Sequence, residues 1–330
     1  MIPLKISIVT PSFNQGAYLE QTICSVLEQG YSNLEYLIID GGSKDDSVAI
    51  IERYANKLAY WVSEPDNGQS HAINKGFQKA NGEILMWLNS DDMLLPGSLQ
   101  KINAFFQAHP QTELMHGKTI VWGAGMKEII KGHASPDPDA CYLGYMCFPQ
   151  PSSFFRKSLL SKTGLLNENL HYGMDYEMLV KAYLGGADIK YMDDIFSKYR
   201  MHPEGKSNNE SKIAEDWSRV YSNVLRSLEN TALLIKTMDS LGLYRNGIER
   251  YDPKRAIPDD VVFKSALYHL MMQAHFAYTA LNLKKTNAIL KSLKQLDSAF
   301  YLKHKLNRLH SKASVLPVSL IRLGRLFTRG

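Results

Sequence analysis

The first 110 residues alternate short apolar runs with helical periodicity, and few folds accommodate that alternation. Ile6–Val9, Leu34–Ile39, Leu58–Val62 and Ile84–Leu88 read as strands. Between them Leu19, Ile23, Val26 and Leu27 recur at i, i+4, i+7 and i+8, with Gly30 as a stop. Ile73, Gly76, Phe77 and Ala80 recur at i, i+3, i+4 and i+7. Asp45 and Asp46 stand where they could cap a helix through Ile50, Ile51 and Tyr54. The alternation implies an α/β fold, with a mostly parallel sheet flanked by helices on both faces. Open sheets of this kind bind ligands beyond the carboxyl ends of their strands. Three of those ends are polar: Thr10-Pro11-Ser12-Phe13-Asn14, Asp40-Gly41-Gly42-Ser43 and Asn89-Ser90-Asp91-Asp92.

Beyond residue 110 the pattern loosens. Val121-Trp122-Gly123 and Ile129-Ile130 suggest a hairpin through Gly125, and Pro136, Pro138, Pro149 and Pro151 mark loops. A short helix is expected over Ser158–Lys162, and another from Asp175 to Gly185-Gly186. From residue 210 helical signals dominate, broken at Asp252-Pro253, Ile257-Pro258 and Pro317. We therefore divide the 330 residues into an α/β domain, 1–209, and a helical C-terminal region, 210–330.

Charge is unevenly spread. The net +5 conceals a tail, residues 283–330, with 11 Lys and Arg against the single acid Asp297. That tail is +10, and the first 282 residues are −5. With Leu290, Leu293, Leu296, Leu302, Leu306 and Leu309 among the basic residues, it fits an amphipathic helix on an anionic membrane surface. A helix packed on the protein with a solvated basic face fits as well. No recognition module accompanies the charge, so nucleic acid is not the expected partner. Lys5 runs directly into Ile6-Ser7-Ile8-Val9, a core strand and not a leader. The longest apolar stretch, Leu267–Leu283, is interrupted by His269, Gln273 and His275 and is too short to span a bilayer. Three cysteines in no paired or metal-type spacing point to a reducing compartment. The expected location is cytoplasmic, peripheral at the inner face of the plasma membrane.

Each chemical candidate also has a plainer reading. Adjacent carboxylates Asp91 and Asp92 repel unless a cation or hydrogen bonds compensate, and hard oxygen ligands suit Mg²⁺ or Mn²⁺ bridged to phosphates. They could equally be turn residues before the helix near Pro96. Asp40, followed by two glycines, could accept hydrogen bonds from a nucleoside or simply shape a turn. Asp175 could cap a helix or act as a general base. Glu177, two residues on, would face elsewhere. His202 beside Arg200 suits a diphosphate or a metal, although an exposed loop histidine is commoner.

The order of these blocks carries more than any one of them. Ser7-Ile8-Val9-Thr10-Pro11-Ser12-Phe13-Asn14, Ile38-Ile39-Asp40-Gly41-Gly42-Ser43-Lys44-Asp45, Glu64-Pro65-Asp66-Asn67-Gly68 with Ala72-Ile73-Asn74-Lys75-Gly76, Leu88-Asn89-Ser90-Asp91-Asp92, Met174-Asp175 and Tyr199-Arg200-Met201-His202 run in that sequence over residues 4–207. In this the chain resembles the family 2 glycosyltransferases, which have the GT-A fold. The resemblance implies an inverting transfer of sugar from a UDP-, dTDP- or GDP-sugar. The acceptor would be a hydroxyl of a glycan or lipid-linked oligosaccharide in surface polysaccharide biosynthesis. By position, Asp40 would contact the base and Thr10, Pro11 and Asn14 would line its pocket. Asp66 and Asn74 would lie nearer the ribose or sugar, and Ser90 at the donor. Asp91, with Asp92 and His202, would hold Mn²⁺ or Mg²⁺ on the diphosphate, and Asp175 would be the base.

Some positions depart from the family pattern. Gly41 stands where a second acid is common, Asn89 replaces the first acid of the metal motif, and Met174 precedes Asp175 where many members have Glu. The alternative they leave open is an inactive nucleotide- or carbohydrate-binding scaffold on the same fold. A nucleotidyltransferase would need a Gly-rich triphosphate loop with Arg and Lys, which residues 10–20 lack. Loop 133–155, with Tyr142, Tyr145, Phe148 and Gln150, lies where such enzymes contact acceptors, while Phe154-Phe155 reads as a buried strand.

Overall fold

The computed structural model describes residues 2–123, 125–246 and 249–315. The strands are β1 (Ile6–Ser12), β2 (Leu34–Asp40), β3 (Tyr60–Ser63), β4 (Ile84–Trp87), β5 (Met93–Leu94), β6 (Leu114–Gly123), β7 (Ile129–Lys131), β8 (Ser153–Arg156) and β9 (Ile189–Met201). The helices are α1 (Gly16–Leu27), α2 (Ser47–Tyr54), α3 (Gln69–Lys79), α4 (Ser98–Ala108), α5 (Pro138–Gly144), α6 (Leu160–Thr163), α7 (Met174–Leu184), α8 (Glu210–Ser227), α9 (Ala232–Ser240), α10 (Asp259–Thr279), α11 (Leu283–Leu296), α12 (Ser298–Lys303) and α13 (Leu306–Val315).

All strands join one sheet in the order β3-β2-β1-β4-β8-β6-β9-β5, with β7 paired to β6. The first half is parallel, as the alternation requires: β1 pairs β2 and β4, and β2 pairs β3. The second half is mixed. β8 runs antiparallel to β4 and β6, β9 parallel to β6, and β5 antiparallel to β9. The hairpin expected through Gly125 is β6–β7, with Val121 opposite Ile129.

Period-2 alternation assigns the two sheet faces. Ile6 and Ile8, Tyr36 and Ile38, and Ile84 and Met86 join Leu19, Ile23, Ile50, Ile51, Leu99 and Phe106 in one core with α1, α2 and α4. The opposite face meets α3: Gly76 lies so close to Val9 that an added Cβ would sit 2.3 Å from Val9 Cγ1. On that face Phe77 makes edge contacts with Trp87 and Phe155, at 6.0 and 5.5 Å between centroids.

Contacts divide the chain into two compact units, one of residues 1–134, 148–182 and 186–202, the other of 135–147, 183–185 and 203–330. The sequence boundary at 209/210 thus falls inside the second unit, which also claims 135–147. The reason is backbone contact with α10: His269 Nδ1 lies 3.0 Å from the Gly144 carbonyl, and a Cβ on Gly144 would meet the Ser265 carbonyl at 2.6 Å. In the same unit the tail leucines Leu290, Leu293 and Leu306 are buried. Residues 316–330 of the basic tail lie outside the described residues. No helix among the described residues is long and apolar enough to cross a membrane.

Candidate donor and catalytic site

The carboxyl ends of β1 and β2 form the first wall. Here the backbone, not the strand side chains, builds the turn. Thr10 is fully buried, its hydroxyl 3.1 Å from Tyr36 Oη, and Pro11 is buried within β1. Asn14 adopts a left-handed φ of 52° and its Oδ1 accepts the Lys44 N–H at 2.8 Å. Asn14 N–H donates to Ser43 Oγ at 2.7 Å, Gln15 N–H to Ser47 Oγ at 3.1 Å and Gly16 N–H to Asp45 Oδ2 at 2.8 Å. These bonds lace the start of α1 to the loop after β2.

Asp40 is the keystone of that loop. It is fully buried. Its Oδ2 accepts the N–H groups of Gly42 (3.1 Å) and Ser43 (2.9 Å) and the Ser63 hydroxyl (2.7 Å), while Oδ1 accepts the Ser43 hydroxyl (2.5 Å). The base contact expected of Asp40 would compete with four hydrogen bonds already made. The open groups lie beside it. Phe13 is 58% exposed, and a Cβ on Gly41 would lie 2.8 Å from Asp66 Oδ2 and 3.2 Å from Phe13. Gly41 therefore leaves room for the Asp66 carboxylate, whose other oxygen accepts the Gly68 N–H at 2.7 Å. Asn74 is buried, and its amide brackets Leu166, donating to the carbonyl and accepting the N–H, both at 2.9 Å. It ties α3 to the segment leading into α7.

The turn between β4 and β5 forms the second wall. Thr22 on α1 donates to the carbonyls of Ser90 (2.9 Å) and Asp92 (2.7 Å). Ser90 is buried. Asp91 and Asp92 part ways. The Asp91 side chain keeps 23% exposure, and its Oδ2 lies 2.9 Å from His202 Nε2. Asp92 has no exposed surface; it accepts the Arg200 N–H at 3.0 Å and, more weakly, the Asn89 amide at 3.4 Å. Burial and the adjacent Asp91 charge push the Asp92 carboxyl well above the usual range, against the lowering effect of the Arg200 and Asn89 donors. In this conformation Asp92 is not open to an ion arriving from solvent.

His202 does not sit in a free loop. It follows β9 directly, and strand alternation puts Arg200 and His202 on one side. The Arg200 guanidinium lies 5.0 Å from the Tyr18 ring and 4.2 Å from the Trp122 ring. It donates from Nε to the Asp91 carbonyl at 3.1 Å and from Nη2 to Gln21 Oε1 at 2.6 Å. The His202 ring packs on Tyr18 at 4.6 Å. Tyr18, Gln21, Trp122 and Gln69, whose amide donates to Asn89 Oδ1 at 2.7 Å, were not among the expected site residues. Only the i, i+2 spacing of Arg200 and His202 hinted at such a cluster.

Asp175 lies in the first turn of α7, half-buried, with Oδ1 accepting the Tyr176 N–H at 2.7 Å. The segment before it is held to α3 by Asn74 and by Ser70 Oγ on the Leu170 carbonyl at 3.3 Å. Gln69, at the start of the same helix, reaches the Asn89 turn, so α3 links both carboxylate-bearing segments. Glu177 is engaged elsewhere, with Lys181 at 3.0 Å and Asn167 at 3.3 Å. Of the aromatics near 133–155, Tyr142, Phe148, Phe154 and Phe155 are buried. Phe154 and Phe155 form part of β8, as the sequence suggested.

The groups that could hold a divalent cation here are Asp91 and His202. No cluster of three or more His, Cys, Asp or Glu suited to a metal exists among the described residues. Two protein ligands are compatible with Mg²⁺ or Mn²⁺ when substrate phosphates and water complete the shell.

The profile for Glycosyl transferase family 2 matches residues 7–142. An uncharacterized glycosyltransferase of Mycobacterium tuberculosis is 33% identical over 187 residues, 54% of this chain and 69% of that protein. The chain belongs to glycosyltransferase family 2. Among solved structures, a mannosyltransferase from Pyrobaculum calidifontis in complex with GDP-Man and Mn²⁺ aligns at a TM-score of 0.60, with 15% identity, over 95% of this chain and 83% of that one. S. aureus TarS residues 1–349 in complex with UDP-GlcNAc aligns at 0.54, with 15% identity, over 90% and 89%. The architecture is that of the GT-A glycosyltransferases: a mixed α/β sheet flanked by helices, followed by a helical C-terminal region.

Proposed function

We propose that this glycosyltransferase inverts the anomeric centre of a nucleotide-diphosphate sugar (UDP-, dTDP- or GDP-linked) as it passes the sugar to a hydroxyl of a glycan or lipid-linked oligosaccharide in surface polysaccharide synthesis. The observation that carries the reading is the pairing of Asp91 with His202, two residues 111 positions apart, at 2.9 Å beyond the carboxyl ends of β4 and β9. Relatives of the same fold hold UDP-GlcNAc and GDP-Man with Mn²⁺, which supports a nucleotide-sugar donor.

In this reading Phe13, Asn14 and Asp66 receive the nucleoside. Asp91 and His202 would hold Mn²⁺ or Mg²⁺, which when bound supplies positive charge to the diphosphate leaving group. The Asp175 carboxylate takes the proton from the acceptor hydroxyl. The acceptor oxygen forms its bond to the anomeric carbon, and the bond from that carbon to the phosphate oxygen breaks. Its electron pair leaves with the nucleoside diphosphate. One displacement inverts the centre, and no enzymatic nucleophile is needed. The protein's larger contribution is alignment of two bound substrates.

The test is a thermal-shift panel of UDP, dTDP, GDP and CMP, each with and without Mn²⁺, on wild type and Asp91→Ala. A ligand at about 100 times its Kd adds roughly 2.7 kcal/mol of stability, which is easily seen. One nucleotide should stabilise wild type in a Mn²⁺-dependent manner and Asp91→Ala should lose that dependence. Absence of any shift would sink the donor site as described. Binding without turnover of the matching sugar nucleotides would favour a scaffold.

The basic helices support a further part of the reading, a peripheral position on an anionic membrane at the cytoplasmic face, where a lipid-linked acceptor would be presented.

A further inference from the structure

Asp91 and Asp92 are neighbours of identical chemistry, yet the fold treats them in opposite ways. Asp91 faces His202 and retains exposure. Asp92 is tied down from every side. Its N–H donates to the Asn89 carbonyl at 3.1 Å and its carbonyl accepts the Thr22 hydroxyl at 2.7 Å. Its carboxylate accepts the Arg200 N–H at 3.0 Å and the Asn89 amide at 3.4 Å.

The Arg200 bond has a specific structural consequence. The β5–β9 ladder is only two pairs long, Met93 with Lys198 and Leu94 with Ser197. Continuing that antiparallel register brings Asp92 to the residues just before His202. There the Asp92 carboxylate takes the N–H of Arg200, adding a rung that the backbone does not supply. Arg200 answers with its side chain, donating from Nε to the Asp91 carbonyl at 3.1 Å. The guanidinium is fixed in turn by Gln21 at 2.6 Å and by the faces of Tyr18 and Trp122. Two residues of the turn and one of the strand thus hold each other through reciprocal bonds, main chain to side chain in both directions. His202 emerges from this clamp two residues beyond Arg200, on the same side of the strand, with its Nε2 on Asp91.

We propose that Asp92 is a positioning residue of the donor site. By holding the Arg200 N–H it fixes the end of β9 against the Asn89–Asp92 turn and so sets His202 against Asp91, without touching the donor or its cation. The proposal rests on the reading of Asp91 and His202 as the groups that meet the donor diphosphate and its cation. It replaces the expectation that Asp92 is itself a ligand. Removing a group that orients a metal-binding residue typically costs about 10- to 100-fold in metal affinity or activity.

An amide at position 92 retains an oxygen for the Arg200 N–H but is a poor substitute for a metal-binding carboxylate. The experiment uses the full chain and whichever of UDP, dTDP and GDP gives wild type the largest Mn²⁺-dependent stabilisation. Its Kd is measured by calorimetry with and without Mn²⁺ for wild type, Asp91→Asn, Asp92→Asn and Asp92→Ala, beside each variant's melting temperature. Asp91→Asn should abolish the Mn²⁺ enhancement of affinity. Asp92→Asn should retain it within a few-fold, and Asp92→Ala should lose about 10- to 100-fold of it. A merely structural role would lower the melting temperature of Asp92→Ala and leave the Mn²⁺ enhancement untouched, which would overturn the proposal. Loss of the enhancement in Asp92→Asn as complete as in Asp91→Asn would overturn it too, making Asp92 a ligand. Should Asp92→Ala fail to fold, Asp92→Ser, whose shorter side chain loses the reach to the Arg200 N–H, takes its place with the same two outcomes. If wild type shows no Mn²⁺-dependent nucleotide binding, or Asp91→Asn keeps it, the donor reading fails first and the positioning role falls with it.

Discussion

Asp175 illustrates how a residue's role sets the form of its mutant's defect. As a general base it acts only while the acceptor hydroxyl loses its proton, so its removal should spare donor binding. Asp175→Asn preserves shape and hydrogen-bonding capacity at the start of α7 and removes the basic oxygen. Its kcat should fall by about 10²- to 10⁴-fold, with donor Kd unchanged by calorimetry. A parallel rise in donor Kd would mean that Asp175 binds the donor instead. The contrast with Glu35 is instructive. That carboxylate is more deeply buried than Asp175, and it lies at the amino-terminal end of β2, where Asn81 N–H (2.6 Å), Lys5 (3.1 Å) and the Ser7 hydroxyl saturate it. Burial alone would raise its pKa, but these donors hold it at about 2. It is structural, whereas Asp91, beyond the carboxyl end of β4, keeps 23% side-chain exposure. Sequence can rank neither case by residue type, since exposure decides them: Asp91 and Asp92 read identically until the fold separates them.

At the level of elements, α3 is the member through which packing reaches the site. Its Gly76 lies against Val9, its Gln69 holds the Asn89 turn, and its Asn74 and Ser70 hold the segment before α7. Gly76→Ala places a methyl 2.3 Å from Val9 Cγ1, and Val9, β-branched, has few rotamers with which to yield. The helix must lift from β1, at a cost of about 1–3 kcal/mol. The expected outcome is a lower melting temperature together with weaker nucleotide binding, both restored in part by Val9→Ala in the same chain, which a double-mutant cycle would measure. Additive losses would show that the two residues do not press on each other. The parallel strands β1 to β4 were legible because each is mostly apolar ahead of its carboxyl end, with only Ser7 in β1 and Glu35 in β2 as breaks. β9 was not, because Lys190, Asp193, Asp194 and Lys198 give it the polarity of a loop, and its partner β6 lies more than 70 residues earlier in the chain, Leu114 pairing with Ile189. Missing β9 hid the cage of Tyr18, Trp122 and Arg200, which exists only where the strand brings Arg200 to α1.

For the whole chain the open question is what its charge segregation does. The tail's leucines allow insertion into a bilayer when read alone, but Leu290, Leu293 and Leu306 are buried within the helical unit, while Leu302 is 61% exposed. Apart from Leu302 and Val315, what remains outward over the described residues is mainly charge: Lys284, Lys291 and Lys294 on α11, then Lys305, Arg308 and Lys312 at α13, all exposed. The single acid of this stretch, Asp297, is occupied in capping α12 through the Phe300 N–H at 2.8 Å. A surface of this kind would meet an anionic membrane by electrostatics, at about 1 kcal/mol per basic residue near the headgroups, with little apolar burial to retain it. The proposed contact therefore makes a quantitative demand. The protein should sediment with phosphatidylglycerol-containing vesicles at low salt and be released as the Debye length shrinks from about 10 Å at 0.1 M to about 3 Å at 1 M. It should ignore neutral phosphatidylcholine vesicles, and Lys305→Glu, Arg308→Glu and Lys312→Glu together should weaken the binding without lowering the melting temperature. Binding that survives high salt would instead indicate apolar insertion, with Leu302 or residues 316–330 as its source. No binding to either vesicle would leave the basic face as solvated surface and remove the membrane from the proposed setting of the reaction.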